Sequence, residues 1–94
     1  MANTLPRPEE ESSIKLPNEF VLKAFGLATT EFETAVLSIC SKHIPNLRED
    51  AFSFRKSGEG KYLSITVRFT AISREQLDNL YLDLKQSPEV LTAL

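Results

Sequence analysis

The chain has 94 residues, of which 41% are hydrophobic, enough for one domain with its own core and too few for two. Eleven basic and thirteen acidic residues give a net charge of -2 at pH 7, with no cluster of Lys or Arg, which argues against nucleic-acid binding. The single cysteine, Cys40, excludes an internal disulfide, a Cys-rich zinc site and a CxxC redox pair, and it favours a reducing compartment.

Residues 1–16 predict a disordered acidic tail, because they contain two prolines, three consecutive glutamates and little to bury. They show no basic-then-apolar signal pattern, and no apolar run in the chain approaches the length of a membrane span. We therefore expect a soluble cytoplasmic protein with one folded domain over residues 17–94, without a membrane partner.

The domain begins with a predicted strand and a predicted helix. Phe20–Gly26 is short, apolar and closed by glycine, which predicts a strand buried on much of both faces. Thr30 and Glu33 then form a T-x-x-E capping box at the start of a helix. Apolar residues continue at helical spacing until Pro45 ends the helix.

Two alternating stretches follow and predict a hairpin. Residues 51–56 place two phenylalanines on one side of a second strand, with Ser53 and Arg55 on the other. Residues 62–71 alternate without interruption and predict a third strand with one apolar and one polar side. The polar side consists of Tyr62, Ser64, Thr66, Arg68 and Thr70.

The last third predicts a second helix and a short final strand. Ser73 and Gln76 form another capping box, the helix runs to about Gln86, and Pro88 follows it. The resulting order is β-α-β-β-α-β. With right-handed crossovers this order predicts a ferredoxin-like α+β sandwich, in which a four-stranded antiparallel sheet carries both helices on one face. The other face must meet solvent or a partner.

The segment Gly58–Lys61, "GEGK", resembles the end of a phosphate-binding loop, but its surroundings do not fit one. Arg55 stands where the first glycine of such a loop belongs, and Tyr62 stands where Ser or Thr would hold magnesium. A strand follows instead of a helix. We interpret the segment as a hairpin loop whose glycines supply positive φ angles.

Three single residues could have a chemical role; a structural role is favoured for His43 and Cys40, and the two explanations are equally good for Lys23. His43 lies in the last turn of the first helix, where it can interact with the helix dipole and cap carbonyls. Cys40 lies on the apolar stripe of that helix and is expected to be buried rather than nucleophilic. Lys23 interrupts an apolar strand, and an exposed position on the uncovered face explains it as well as a function does. We expect no catalytic residue, no metal and no cofactor.

The candidate residues for binding a ligand or a partner lie on the predicted uncovered face. A solvated face is one interpretation, and an anion or carboxylate site built on guanidinium groups is another. RNA binding by this architecture would require stacked aromatic residues, of which Tyr62 alone is present. The candidates are Lys23, Arg55, Tyr62, Ser64, Thr66 and Arg68.

From residue 17 to residue 94 the order of these residues resembles the YbeD-like family of small bacterial proteins, a family of unknown function. The resemblance implies a ferredoxin-like fold similar to that of the regulatory ACT domains, and it implies no catalytic residue. Some relatives are associated with lipoate metabolism through genomic neighbourhood. The matching residues are Pro17, Phe20, Lys23, Gly26, Val36, His43, Pro45, Ser57, Gly60, Tyr62, Ser64, Gln76, Leu80, Tyr81, Leu84, Val90 and Leu94.

Three functions from different classes remain open. The first is a non-enzymatic regulatory or protein-interaction module that self-associates or binds a partner through the uncovered sheet face or an edge strand. The second is a sensor of a small carboxylate or anion. The third is an acylphosphatase-like enzyme. The residues favour it least, because residues 26–31 offer neither the arginine nor the asparagine that such an enzyme needs.

Overall fold

Four strands and two helices follow one another in the order β-α-β-β-α-β over residues 18–94, which are the residues described by a computed structural model. The predicted acidic tail lies outside the described residues. A short 3₁₀ turn, Glu49–Ala51, precedes the second strand. The elements are β1 (Asn18–Leu27), α1 (Thr30–His43), β2 (Phe52–Lys56), β3 (Tyr62–Ala71), α2 (Arg74–Gln86) and β4 (Thr92–Ala93).

The strands form one antiparallel sheet in the order β2-β3-β1-β4. The central pair is continuous, because β1 and β3 are in register from Asn18 opposite Ala71 to Leu27 opposite Tyr62. The edge strands β2 and β4 are much shorter. This topology confirms the predicted ferredoxin-like α+β fold.

The core lies between one face of the sheet and both helices. Every second residue of β3, beginning at Leu63, is buried, as its alternating sequence predicts. Leu22 and Ala24 of β1 lie on the same side and are fully buried. Helix α1 contributes Phe32, Val36 and Cys40 to this core, and α2 contributes Leu77, Leu80 and Leu84.

The prediction that the first strand is buried on much of both faces was wrong. Leu22 and Ala24 face the helices, whereas Val21 and Lys23 are exposed. The physical reason is that both helices pack on one side of the sheet, so that a central strand also has only one covered face. The strand is also longer than the predicted Phe20–Gly26.

The capping residue predicted from the sequence is wrong for α1 and correct for α2. Thr29, rather than the predicted Thr30, caps α1, since it is extended and its hydroxyl accepts the Phe32 N–H at 3.0 Å. Ser73 caps α2 as predicted, accepting the Gln76 N–H at 3.0 Å.

The segment between β2 and β3 is a hairpin loop, as predicted. Ser57 donates its N–H to the Tyr62 carbonyl, and Gly60 donates its N–H to the Ser57 carbonyl, both at 2.8 Å. Gly60 has a φ of 77°, whereas Gly58 does not adopt a positive φ. Within the described part of the chain, no helix is long and apolar enough to cross a membrane.

Candidate functional site

The sheet face turned away from the helices is left uncovered by the fold, and we call it the open face. The register places residues of β1 directly opposite residues of β3, so that Val21 faces Arg68, Lys23 faces Thr66 and Leu27 faces Tyr62. From β2, Ser53 lies opposite Thr66 and Arg55 opposite Ser64. The open face consists of Glu19, Val21, Lys23, Phe25, Leu27, Ser53, Arg55, Tyr62, Ser64, Thr66, Arg68, Thr70 and Thr92.

Apolar side chains make up much of this face, which the sequence did not predict. Val21 is 47% exposed, and Leu27 and Tyr62 are each 45% exposed. Phe25 lies between Val21 and Leu27 in the register of β1 and is half-buried. The open face therefore combines an apolar row on β1 with the polar row on β3.

Lys23 lies near the middle of the open face. It stands opposite Thr66 on one side, and it exchanges two backbone hydrogen bonds with Leu94 on the other, at 3.0 and 2.8 Å. Its side chain is exposed. Its position between Val21 and Phe25 puts a cation inside the apolar row, which restricts the partners that the face can accept.

The six candidate residues do not meet in one pocket. Arg55, Tyr62 and Ser64 line a shallow depression of about 210 Å³ at the hairpin end of the open face. Arg68 is four residues beyond Ser64 along β3, roughly 13 Å away at the usual rise of a strand. Lys23 and Thr66 line neither this depression nor the cleft that contains Arg68.

The cleft beside Arg68 is larger, about 530 Å³, and lies next to the loop after α1. Arg48 in this loop donates to the Asp50 carboxylate at 3.1 Å, and both side chains are exposed. The hydrogen bond to Asp50 raises the pKa of Arg48 above its ordinary value. Asn46 in the same loop has a φ of 59°. The Arg48 guanidinium is thus engaged inside the loop, and Arg68 is the cation that the sheet adds to the cleft.

A separate polar cluster joins the two helices on the opposite side of the sheet. His43 Nε2 lies 2.7 Å from Asp83 Oδ2, and Lys42 Nζ lies 3.4 Å from the same oxygen. The hydrogen bond to His43 holds the pKa of Asp83 below its ordinary value of 3.8, and Lys42 lowers it further. The side-chain hydrogen bond of His43 thus goes to a carboxylate of α2 instead of capping the carbonyls of its own helix.

The arrangement around Cys40 is not that of a nucleophile. Cys40 is fully buried, and desolvation raises the pKa of its thiol from 9.0 to about 12. The His43 imidazole is held by Asp83. Cys40 is therefore a buried apolar side chain, as predicted. Among residues 18–94, no three His, Cys, Asp or Glu side chains are grouped as metal ligands.

Comparison with known proteins matches residues 11–94 to the family described as "Protein of unknown function (DUF493)". The chain belongs to this family. It is 42% identical over 80 residues to a UPF0250 protein of Janthinobacterium sp. (strain Marseille), covering 85% of this chain and 88% of the relative. A UPF0250 protein of Chromobacterium violaceum is 37% identical over 86 residues, covering 92% of this chain and 97% of the relative.

A third relative, the UPF0250 protein NE1487 of Nitrosomonas europaea, is 39% identical over 85 residues, which are 90% of this chain and 98% of the relative. These matches confirm the resemblance to the YbeD-like family. The names of these relatives state no enzymatic activity, and the family description states no function.

Proposed function

We propose that this protein is a non-enzymatic interaction module that binds a protein partner through its open face. One observation carries the proposal: Val21, Leu27 and Tyr62 remain nearly half exposed on a sheet face that no described element covers. Exposed apolar groups that share one face and are bordered by polar residues are typical of protein-binding surfaces.

The charges of the open face indicate the chemistry of the partner. Lys23, Arg55 and Arg68 contribute three cations, and Glu19 contributes one carboxylate. A complementary surface would place apolar side chains on the β1 row and carboxylates around them. The partner is therefore a protein with an acidic border around an apolar centre.

A regulatory role by binding, rather than by catalysis, is consistent with the rest of the structure. The only thiol is buried with a raised pKa, and His43 is hydrogen-bonded to Asp83 between the helices. Such regulation would act through reversible binding of the partner at the open face.

Charge reversal on the open face tests the proposal. We compare wild-type protein with the double variant K23E/R68E and with the matched variant R74E/K85E, which reverses one Arg and one Lys on exposed positions of α2. Partners captured from the native host are identified by mass spectrometry, purified and titrated by calorimetry. We expect a partner that binds wild type and R74E/K85E equally and binds K23E/R68E at least tenfold more weakly, about 1.4 kcal/mol. Equal binding by all three would contradict the proposal.

The depression at the hairpin end supports a second candidate function, a sensor of a small carboxylate or anion. Arg55 offers a guanidinium fork there, next to the hydroxyl groups of Ser57, Tyr62 and Ser64. The family resemblance implies that the genes of some relatives lie near genes of lipoate metabolism, so lipoate is one ligand to test. Amino acids and phosphorylated metabolites are the others.

Thermal shift measurements separate this candidate from the first. A ligand that binds only the folded state raises the melting temperature. The variant R55Q should lose the shift, whereas R68Q should retain it because Arg68 lines a different cleft. If no compound shifts the wild-type protein, or if R55Q retains the shift, the depression is not the ligand site.

A further inference from the structure

The chain enters its fold at one end of the open face. Strand β1 begins at Asn18, and Glu19 and Val21 of the open face follow directly. Residues 1–17 precede the described part of the chain. An extended chain spans up to about 3.5 Å per residue, so the sequence before Asn18 is long enough to fold back along the whole of β1.

The cations of the open face have no carboxylate partner within residues 18–94. Lys23, Arg55 and Arg68 form no ion pair there, whereas basic side chains of both helices and of the loop after α1 do. Glu19 is the one acidic residue of the open face. Three cations against one carboxylate leave this face positively charged, which suits an acidic ligand.

Residues 9–16, which we call the acidic segment, combine the two kinds of side chain that suit this face. They begin with three consecutive glutamates, and Ile14 and Leu16 follow. These two apolar residues are two positions apart, so they project to the same side of an extended chain. The match to the family begins at residue 11 and therefore includes the apolar half of the segment.

We propose that the acidic segment binds the open face of its own chain and competes there with the protein partner. The inference rests on the proposed function and adds its regulation. The proposed partner carries apolar side chains bordered by carboxylates, and the acidic segment has the same chemistry. Because the segment is tethered at Asn18, its effective concentration at the open face is on the order of millimolar, which a partner has to overcome.

The apolar half of the segment reaches the apolar row of β1. Val21 is three residues after Asn18, roughly 10 Å along the strand, and Arg68 stands directly opposite it. Ile14 is four residues before Asn18 and can extend about 14 Å from it. A chain that reverses at Asn18 can therefore bring Ile14 to Val21, which is 47% exposed.

The glutamates reach the more distant cations. Lys23 is five residues after Asn18, roughly 17 Å along β1. Arg55 lies two strands away at the level of Phe25, roughly 25 Å from Asn18. Residues 9–11 are seven to nine positions before Asn18 and can extend about 24–31 Å from it. The carboxylates can thus lie beside both cations while the apolar residues cover the row next to them.

Thiol–disulfide equilibria of the full chain measure where the segment lies. The variant S12C/V21C carries one thiol in the acidic segment and one on the open face. The matched variant S12C/L82C replaces another exposed apolar residue, on α2, which packs on the covered side of β1. The segment keeps all its glutamates and both apolar residues in each variant. Cys40 is buried and does not compete.

We expect the effective concentration of the two thiols, measured by equilibration with a glutathione buffer, to be at least tenfold higher in S12C/V21C than in S12C/L82C. Adding E9Q/E10Q/E11Q should lower it at least threefold in the first variant and leave it unchanged in the second. Equal effective concentrations in the two variants, or no effect of the glutamates, would overturn the proposal.

Partner binding tests the competition. E9Q/E10Q/E11Q should bind the captured partner at least threefold more tightly than wild type, because the competing segment is weakened. The matched variant E31Q/E75Q/E89Q neutralises three exposed glutamates that lie off the open face and changes the net charge by the same amount. It should bind the partner as wild type does. Equal affinities of the two triple variants would contradict the competition.

These outcomes are distinguishable from a failure of the proposed function, because the thiol equilibria need no partner. If the two cysteine pairs behave alike while K23E/R68E still loses a partner that wild type binds, the inference is wrong and the interaction module stands. If the segment prefers the open face and no protein is captured there, the proposed function fails, and the competition that rests on it fails with it.

Discussion

Phe32 of α1 packs directly over Gly26 of β1, and the contact leaves no space for a side chain at residue 26. A Cβ atom built there would lie 2.5 Å from Phe32 Cδ1 and 2.8 Å from the Glu89 carbonyl oxygen. The aromatic ring is fully buried at the start of the helix. The glycine therefore fixes how closely α1 approaches the sheet, and the reason is close approach rather than a positive φ.

The substitution G26A should destabilise the fold by about 1–3 kcal/mol, the usual cost of overpacking a core. Urea unfolding followed by circular dichroism measures the change. The matched control is G58A, since a Cβ at Gly58 has no atom within 4 Å, and no loss of stability is expected there. The double variant G26A/F32L should cost less than the sum of the single changes by about 1 kcal/mol, because the two sites share the contact. Strict additivity would contradict this account.

Gln76 is a buried polar residue that connects the start of α2 to the end of α1, and its removal should destabilise the fold. Its Oε1 accepts the Ile72 N–H at 2.8 Å, and its Nε2 donates to the His43 carbonyl at 3.1 Å. We expect Q76L to lower the free energy of unfolding by about 1–3 kcal/mol, since both backbone groups lose a partner. Q76E keeps an acceptor for Ile72 and should lie between wild type and Q76L.

The control for Gln76 is Q86L, at an exposed position near the end of the same helix. Its effect should stay within about 0.5 kcal/mol. Equal effects of Q76L and Q86L on the urea midpoint would show that the bridge contributes nothing.

The sequence predicts most of the fold because each long element satisfies one periodicity. Strand β3 is correct over all of Tyr62–Ala71, since its apolar and polar residues alternate without a break. The prediction that β1 is buried on both faces failed for a physical reason. Val21, Phe25 and Leu27 are apolar although they lie on the open face, and an apolar sequence does not reveal which of its residues are covered.

The remaining errors concern features that depend on three-dimensional placement. Thr29 and Thr30 are both competent helix caps, and the extended path of the chain leaving β1 selects Thr29. Asp83 meets His43 although 40 residues separate them, because the crossing of α1 and α2 brings the two side chains together. The pairing register separates Arg68 from Arg55, because Arg55 stands opposite Ser64, four residues before Arg68 along β3.

The carboxylate of Asp83 should make stability depend on pH in the acid range. Because the folded-state pKa of Asp83 lies below its ordinary value of 3.8, the contribution is complete above that value and is lost as pH falls through the lower folded value. As far as this carboxyl is concerned, the difference in unfolding free energy between wild type and D83N should therefore be constant at pH values well above 3.8 and should shrink as the pH falls below 3.8. Urea unfolding at a series of pH values measures it.

The control for Asp83 is D78N on the same helix, whose carboxylate makes an exposed contact with Arg74 at 3.7 Å. Exposed pairs of this kind contribute little, so the urea midpoints of D78N and wild type should remain nearly equal throughout. A D83N midpoint that parallels wild type down to pH 2 would show that the contact with His43 does not stabilise the folded state.

Cys40 should react with thiol reagents only when the protein unfolds. Its side chain is fully buried, and a pKa of about 12 leaves a thiolate fraction on the order of one in ten thousand at pH 8. Labelling with Ellman's reagent should therefore be at least a thousandfold slower than that of a free thiol, and it should accelerate with urea in parallel with unfolding. An added exposed thiol, S38C on the same helix, should react at once with one equivalent. Rapid labelling of the wild type would instead show that Cys40 is accessible. It would then argue for a nucleophilic role of Cys40 and against the proposed non-enzymatic function.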